Sequence, residues 1–469
     1  MIFNSYVFWA FYALVLFLYW RLPHRAQNRL LLVASYVFYG YWDWRFLSLL
    51  AISTLIDYYV SHAICRQPDQ RVRRRLLVFS IVANLGILGY FKYAGFFVRE
   101  FADLLEMLGF QANLPVLNIV LPVGISFYTF QTMAYTIDVY RGVTKPAASL
   151  LDFALFVAFF PQLVAGPIER SSRLLPQLIG PRSLRSGDFA EGLYHILIGL
   201  LKKVVIADNL APIVERVFST PTAELTSADV LIGVYAFAFQ IYGDFSGYSS
   251  IAQGTAKWLG IDLSYNFKMP YFSRSPSEFW RRWHITLSQW LRDYLYIPLG
   301  GNRCGVRRTY INLTLTMLLG GLWHGAAWTF VIWGAWHGLL LVAYRLVGME
   351  KFEGHTSAWV AALQMVLMFH LVCIGWLFFR AESFDQAIGM IATLATAPAL
   401  TDYAIYGAAM IVFFAGPLMI YEWYVYRSGD MLLALRRPAW QRCAAYGYCL
   451  VMLLVFPPLV QQVFIYFQF

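Results

Sequence analysis

Long apolar segments separated by short polar connectors make up most of this chain. A helix needs about 20 apolar residues, with a range of about 17–25, to cross a bilayer. Several segments reach that length, and the shorter ones are expected to be re-entrant or tilted helices. We therefore predict an all-α polytopic membrane protein with about 10 to 12 spans. The apolar segments lie near residues 6–20, 30–41, 46–63, 76–97, 118–140, 150–166, 189–208, 226–243, 309–344, 358–379, 403–423 and 443–466.

The segment 309–344 has 36 residues and no formal charge, which is too long for a single span. It is also interrupted by glycine, which weakens a helix interior. The pattern predicts two helices with a break between them. The glycines are Gly320, Gly321, Gly325, Gly334 and Gly338.

Composition also places the chain in a membrane. Of its 469 residues, 59% are hydrophobic and 13% are charged, whereas a soluble domain has about 45–50% apolar and about 25% charged residues. A soluble globule of this size could not cover its surface with polar side chains, so an ordinary cytosolic or secreted enzyme is excluded. We interpret residues 1–469 as one integral-membrane domain, with its distinctive sequence strings between about 120 and 345.

The net charge of +10 lies mainly in short connectors between apolar segments, so it predicts membrane orientation and not nucleic-acid binding. The connectors 21–29 and 66–75 are rich in arginine, whereas the connector 42–46 has one Arg and one Asp. Because basic loops stay in the cytoplasm, the N-terminus is expected outside. Residues 1–20 contain no Lys or Arg, so they are expected to form a retained helix and not a cleaved signal peptide.

The usual motifs of soluble enzymes are absent from the sequence. There is no H-E-x-x-H, G-x-S-x-G or Walker A motif, and no histidine is followed by Asp five positions later. The five cysteines include no C-x-x-C pair, so we predict neither a zinc site nor a disulfide framework.

Histidines within apolar segments are therefore the main candidates for chemistry, because ionisable groups are costly in lipid. Such a histidine either acts in a reaction or hydrogen-bonds a neighbouring helix. His324 lies in Gly321-Leu322-Trp323-His324-Gly325, where the glycines allow a ligand or another backbone to approach, and this favours function. His337 is expected to be structural, and it could cooperate with His324 only if the chain breaks between them. His195 is also expected to be structural, and His370 is a further candidate.

Two other strings combine polar and apolar residues. Residues 278–303 mix arginine with tryptophan, which predicts an interfacial helix, and clustered guanidinium groups also suit an anionic phosphate ligand. The string 242–248 places Asp244 at the end of an apolar segment. Asp244 is expected either to line a cavity or, more simply, to cap a helix.

Five ordered strings together resemble the membrane-bound O-acyltransferase family, in particular its bacterial branch that acetylates exopolysaccharides. The strings are 125–142 (ISFYTFQTMAYTIDVYRG), 160–170, 242–260, 279–303 (with RRWH and DYLYIPLGGNR) and 321–338 (with GLWHG). The resemblance implies a ring of tilted helices around a thin centre, with re-entrant and interfacial helices and a funnel from each side.

The resemblance also implies roles for individual residues. His324 matches the essential histidine of the family, and it would act as a general base or a transient acyl carrier. His370 falls where a related branch has a second, tunnel-facing histidine. Trp323, His337 and Asp244 are placed near the tunnel or in structural positions. The expected donor-binding residues are Arg281, Arg282, His284 and Arg303, with the arginines holding the phosphates of CoA.

The function implied is transfer of acetyl from cytosolic acetyl-CoA across the inner membrane towards an exported polysaccharide, cellulose or alginate. A periplasmic partner of the serine-esterase kind would relay the acetyl group. No metal or permanently bound cofactor is expected. The short chain and its start, residues 1–5, look more like the cellulose-acetylating member. The alternatives are transfer of D-alanine or a longer acyl chain, a polysaccharide transporter, and a structural assembly subunit.

Overall fold

A computed structural model describes residues 1–110, 119–349, 357–458 and 464–465. Parts of the predicted segments 118–140 and 443–466 lie outside these ranges. The described residues form helices and no strand, so the all-α prediction is confirmed. The helices are α1 (Tyr6–Tyr19), α2 (His24–Asp43), α3 (Leu47–Arg66), α4 (Gln70–Leu88), α5 (Ala94–Met107), α6 (Ile125–Tyr140), α7 (Leu150–Ala158), α8 (Phe160–Leu163), α9 (Ser171–Ile179), α10 (Asp188–Leu200), α11 (Asp208–Ser219), α12 (Ser227–Trp258), α13 (Pro276–Arg282), α14 (Ile285–Leu291), α15 (Val306–His324), α16 (Trp328–Leu346), α17 (Ala358–Arg380), α18 (Phe384–Thr396), α19 (Asp402–Ser428) and α20 (Ala439–Val455).

Six helical stretches of the described chain are long and apolar enough to cross a membrane. The first contains two helices of 20 residues each, α2 and α3, and each is about 30 Å long, enough for one crossing. A multi-pass membrane protein is therefore confirmed, while the number of 10 to 12 spans stays a prediction. The stretches are His24–Arg66, Gln70–Met107, Ser227–Trp258, Trp328–Leu346, Ala358–Arg380 and Asp402–Ser428.

In the described chain, the wider π-helical turn interrupts two helical paths and ends a third, that of α14. These turns cover Gly89–Tyr93, Leu201–Ala207 and Arg292–Tyr296. The second joins α10 to α11 without a loop. A π turn holds one more residue per turn than an α-helix and is often found at functional sites.

The chain divides into two compact units. The first contains Met1–Gly192 and Ala252–Ser264, and the second contains Leu193–Ile251 and Tyr265–Phe469. That the two units act as one domain, as the sequence analysis expects, stays a prediction.

In the first unit, a buried polar network joins α3, α4 and α6. The Asp57 carboxylate accepts hydrogen bonds from Ser80, from Asn84 at 2.9 Å and from Thr136 at 3.0 Å. These bonds compensate the cost of burying a carboxylate. In the same unit Glu169, near the end of the proline-marked string 160–170, accepts a hydrogen bond from the Ser264 hydroxyl at 3.1 Å.

In the second unit, α15 and α16 form a tightly packed pair. The predicted break in segment 309–344 is confirmed, because α15 ends at His324 and α16 begins at Trp328. A Cβ atom on Gly321 would collide with the carbonyl oxygen of Phe330, and one on Gly334 would collide with that of Met317. The two helices therefore cross at glycines, which allow their backbones to touch.

Candidate active site

His324 lies at the last position of α15, where the helix gives way to an extended residue. Gly325 has φ −161° and ψ 153°, and a Cβ atom there would collide with the ring of Phe330. The glycine thus turns the chain away from α15 under an aromatic ring. Only 4% of the His324 surface is exposed, so the side chain lies inside the second unit.

Aromatic rings enclose His324. Its ring centroid lies 5.0 Å from that of Trp323, 4.9 Å from that of Trp333 and 5.4 Å from that of Phe379. These side chains come from α15, α16 and α17 respectively, so three helices form the enclosure. The indole N–H of Trp333 is buried and has no hydrogen-bond acceptor among the described residues. An uncommitted hydrogen-bond donor therefore belongs to a ring that packs against His324.

His284 lies beside His324. The two ring centroids are 6.3 Å apart, and the His284 ring also lies 5.9 Å from that of Trp323 and 4.6 Å from that of Phe245. None of its surface is exposed. This position makes His284 part of the enclosure of His324, and its predicted donor-binding role stays a prediction.

The backbone of His284 is strained. Its φ of 40° and ψ of 55° lie in the left-handed region, directly before α14, and such a conformation in a non-glycine residue must be held by its surroundings. Asn266 provides part of that support. Its carbonyl accepts from the backbone of Ile285 at 2.9 Å, and its side chain accepts from the Thr286 hydroxyl at 3.0 Å.

Burial lowers the pKa of His284 to about 3, because an imidazolium ion is disfavoured away from water. The ring is therefore neutral at physiological pH. A neutral imidazole beside His324 adds a polar group without adding charge.

His337 is connected to His324 through Trp333. The Trp333 ring lies 4.9 Å from each of the two histidine rings, so the break in the chain does bring the two histidines near one another. Neither ring nitrogen of His337 has a hydrogen-bond partner in the described part of the chain. Gly375 of α17 passes so close that a Cβ atom would lie 2.9 Å from His337 Nε2. The ring therefore packs closely against α17 without a hydrogen bond, and its structural role stays a prediction.

His370 has different surroundings. Its side chain is exposed, and it lies within α17. Its Nδ1 lies 2.7 Å from the carbonyl oxygen of Val366, and its Nε2 lies 2.8 Å from the Tyr235 hydroxyl. Because a carbonyl only accepts, Nδ1 donates, and the neutral ring then accepts from Tyr235 at Nε2.

The three arginines of the predicted donor site differ in their contacts. Arg282 binds Glu278 at 2.9 Å and donates to the carbonyl of Lys268 at 3.0 Å, so its guanidinium group already supports the protein. Arg281 and Arg303 are exposed. Within the described residues, the Arg303 side chain has no ion pair.

Asp244 does not lie at the end of a span, as the sequence suggested, but within α12, which continues to Trp258. At this point α12 passes close to the segment that contains Lys202, and Gly243 provides the space for it. A Cβ atom on Gly243 would lie 2.7 Å from the carbonyl oxygen of Lys202. The carboxylate binds Lys203 at 2.7 Å and accepts from the Ile465 backbone at 2.6 Å.

Sequence reasoning missed a group of buried charges next to this aspartate. Lys203 also binds Asp208 at 2.8 Å. Lys202 binds Glu422 at 2.8 Å, and Glu422 accepts from the Tyr242 hydroxyl at 2.6 Å. Two adjacent lysines in the apolar segment 189–208 were the available signal, since buried charges in a membrane protein need partners. By contrast, no sequence signal marks the left-handed backbone of His284.

No three His, Cys, Asp or Glu side chains of the described chain converge as metal ligands. The site consists of two histidines among aromatic rings, one of which, Trp333, has a buried indole N–H without an acceptor among the described residues. Such an arrangement can accept a proton from a hydroxyl and donate a hydrogen bond to a developing negative charge.

Comparison with known proteins agrees with this chemistry. The model of a family described as MBOAT, membrane-bound O-acyltransferase family, matches residues 145–379. A probable alginate O-acetylase of Azotobacter vinelandii is 46% identical, over 84% of this chain and 78% of that protein. A peptidoglycan O-acetyltransferase of Helicobacter pylori is 36% identical, over 83% of this chain and 79% of that protein. A teichoic acid D-alanyltransferase of Bacillus subtilis is 28% identical, over 59% of this chain and 73% of that protein.

Proposed function

Because this chain belongs to the membrane-bound O-acyltransferase family, we propose that it transfers acetyl from acetyl-CoA towards an exported polysaccharide. That it is an acyltransferase follows from the family. Acetyl is favoured as the group transferred because the more similar relatives above are named as an O-acetylase and an O-acetyltransferase. Alginate is the acceptor polymer favoured by these names, and cellulose stays a prediction.

The observation that carries the proposal is the position of His324. It ends a helix inside the second unit, lies 6.3 Å from a second buried histidine and is enclosed by aromatic rings. A general base must lie within reach of the proton that it removes and away from competing water. The enclosure meets the second requirement, and the reach of His324 to the acceptor hydroxyl is part of the proposal.

In the proposed reaction, His324 takes the proton from the acceptor hydroxyl as the oxygen attacks the thioester carbonyl carbon. The Trp333 N–H stabilises the oxyanion that forms. The carbon–sulfur bond then breaks, and the CoA thiolate leaves and takes the proton from the imidazolium ion. A histidine is suited to this exchange because its ordinary pKa lies near neutrality. Transfer of acetyl to His324 itself is the alternative, with the histidine as carrier.

Arg303 and Arg281 would bind the phosphates of CoA. Guanidinium groups bind phosphate through paired, charge-assisted hydrogen bonds. Both side chains are exposed, and Arg303 is not engaged with any described acidic residue. Arg282 would contribute indirectly, by holding the segment that carries Arg281 through Glu278.

The acceptor side rests on the resemblance. The acetyl group would pass to a serine of a periplasmic partner protein, or directly to the sugar. The enzyme would lie in the bacterial inner membrane with its N-terminus in the periplasm. Transfer of D-alanine is the second candidate, and it is supported by the 28% identity to a teichoic acid D-alanyltransferase. Family membership favours either transfer over a polysaccharide transporter.

The test is acetyl transfer by the purified protein in vesicles, supplied with radiolabelled acetyl-CoA, alginate and the partner protein. His324→Asn keeps polarity but cannot take up a proton at neutral pH, so we expect the rate to fall by about 10²–10⁴-fold. His195→Asn is the matched control, because His195 is also buried in the second unit and should retain its rate.

A near-normal rate in His324→Asn, at normal protein level, would show that His324 is not the general base. Label found on the wild-type enzyme but not on His324→Asn would indicate the carrier mechanism. Label transfer from activated D-alanine but not from acetyl-CoA would favour the second candidate.

A further inference from the structure

The second unit contains an apolar cavity remote in sequence from the catalytic strings. It has a volume of about 260 Å³ and lies between α10, α19 and α20. Leu197, Ile198, Leu201, Leu418 and Cys449 are among its lining residues. Such a lining suits a hydrocarbon chain, because it offers almost no partner for a polar group.

Two of the four tyrosines in the lining have hydroxyls that are engaged within the protein. The hydroxyls of Tyr194 and Tyr421 are hydrogen-bonded to each other at 2.8 Å, and that of Tyr194 also reaches the carbonyl of Met431 at 3.4 Å. Their polar ends are therefore occupied by the protein. What remains for a ligand is the apolar face of each ring.

A basic segment joins α19 to α20, two of the helices that line the cavity. Residues 427–442 contain four arginines and one aspartate, a formal excess of three positive charges. Asp430 binds Arg436 at 2.9 Å. This pairing leaves Arg427, Arg437 and Arg442 without a described acidic partner.

Arg442 lies at the edge of the cavity. It is close enough to Tyr446, a lining residue, for its charge to act on that hydroxyl. Its Nε atom is buried and has no hydrogen-bond partner among the described residues. Arg437 is exposed, directly after the turn that contains the lining residue Ala434. One guanidinium group therefore lies beside the apolar space, and a second directly follows a turn that lines it.

We propose that this cavity binds one acyl chain of an anionic glycerophospholipid, with its phosphate held by Arg437 and Arg442. The cavity lies beside α19, a membrane-spanning stretch that ends at Ser428, where the basic segment begins. Basic pockets between membrane helices bind anionic headgroups in this way. The exposed Trp440 is of the residue type that lies at the headgroup level. This binding is independent of acetyl transfer.

The test is native mass spectrometry of the full-length protein in detergent with phosphatidylglycerol, or with phosphatidylcholine of the same acyl chains. We expect phosphatidylglycerol to bind about tenfold more tightly, because the surplus charge is positive. Arg442→Gln should remove most of that preference. Arg436→Gln is the matched control: it removes one positive charge from the same segment, but its arginine is paired with Asp430, so the preference should remain.

A second pair of variants tests the acyl chain. Ala445→Phe and Ala434→Leu add bulk at two lining positions of the cavity. Each should weaken binding of both lipids, and an unchanged melting temperature would show that the variant folds. Equal binding of the two lipids by the wild type would overturn the proposal, as would undiminished binding in both filled variants. Stronger binding of a free fatty acid than of phosphatidylglycerol would also overturn it, since the phosphate would then contribute nothing.

Discussion

His324 receives neighbours from two separate parts of the chain. Trp333 faces it from α16, and His284 comes from the turn between α13 and α14. The first neighbour follows from the local sequence, because a break at Gly325 folds α16 back onto α15. The second depends on a left-handed residue and on Asn266, which belong to no repeating pattern.

Trp333→Phe tests the proposed oxyanion donor. Removing one donor of this kind typically lowers kcat by about 10²–10³-fold, and KM for acetyl-CoA should change little. Trp336→Phe is the control on the same helix, because its N–H is already bonded to the carbonyl of Leu371 at 2.8 Å. Steady-state kinetics of both variants measure kcat and KM for acetyl-CoA. A kcat for Trp333→Phe equal to that of the control would assign the Trp333 ring to packing alone.

His284 should make stability depend on pH. Because burial lowers its pKa from 6.5 to about 3, the unfolded chain binds a proton below pH 6.5 that the folded protein does not. Stability is therefore lost as the pH falls from 6.5 towards 3, by about 2–3 kcal/mol at pH 4.5. His284→Asn should lose less, and Asn tolerates the left-handed backbone. Thermal unfolding of the wild type and of His284→Asn at pH 7.5 and 4.5 measures the loss of stability in each. Equal losses in the two proteins would contradict the proposed effect of His284.

At the level of elements, the pair α15–α16 depends on glycines at its crossing. The sequence predicted that segment 309–344 would break, because 36 uncharged residues exceed one span and glycines interrupt them. It did not predict which glycine serves which contact. Gly325 accommodates the ring of Phe330, whereas Gly321 and Gly334 bring two backbones together.

Two adjacent alanine substitutions separate these contributions. Gly321→Ala should displace α16, because its Cβ would collide with the Phe330 carbonyl, and overpacking of this kind costs about 1–3 kcal/mol. Gly320→Ala places its Cβ 3.1 Å from the end of the flexible Leu291 side chain, so a small shift relieves it. Melting temperatures and yields of folded protein compare the two. Equal losses would mean that the crossing is not the limiting contact.

At the level of the whole molecule, hydrophobic patterning was sufficient for the fold class, while membership of the family was predicted from five ordered sequence strings. Hydrophobic patterning has a limit. It could not reveal the buried charges. Lys202 and Lys203 are adjacent in sequence, yet they bind Glu422 and Asp244, which lie far apart along the chain. Such pairings depend on how distant helices pack, and periodicity contains no information about that.

The orientation of the molecule in the membrane is open to a direct test. The basic connectors predict residues 66–75 in the cytoplasm, and Gln70 is exposed there at the start of α4. A reporter active only in the cytoplasm should therefore be active when fused at Gln70, and one active only in the periplasm should be silent. The opposite result would invert the proposed topology, including the side from which acetyl-CoA enters.

The π turns have a consequence for comparing this chain with its relatives. Each adds a residue to a helical turn without a visible loop, so the inward face shifts by about 100° across it. A relative that lacks the turn at 201–207 would align with a one-residue gap in the middle of a continuous helix. Such a gap, which otherwise resembles an alignment error, would mark where the register of Lys202 and Lys203 has been lost.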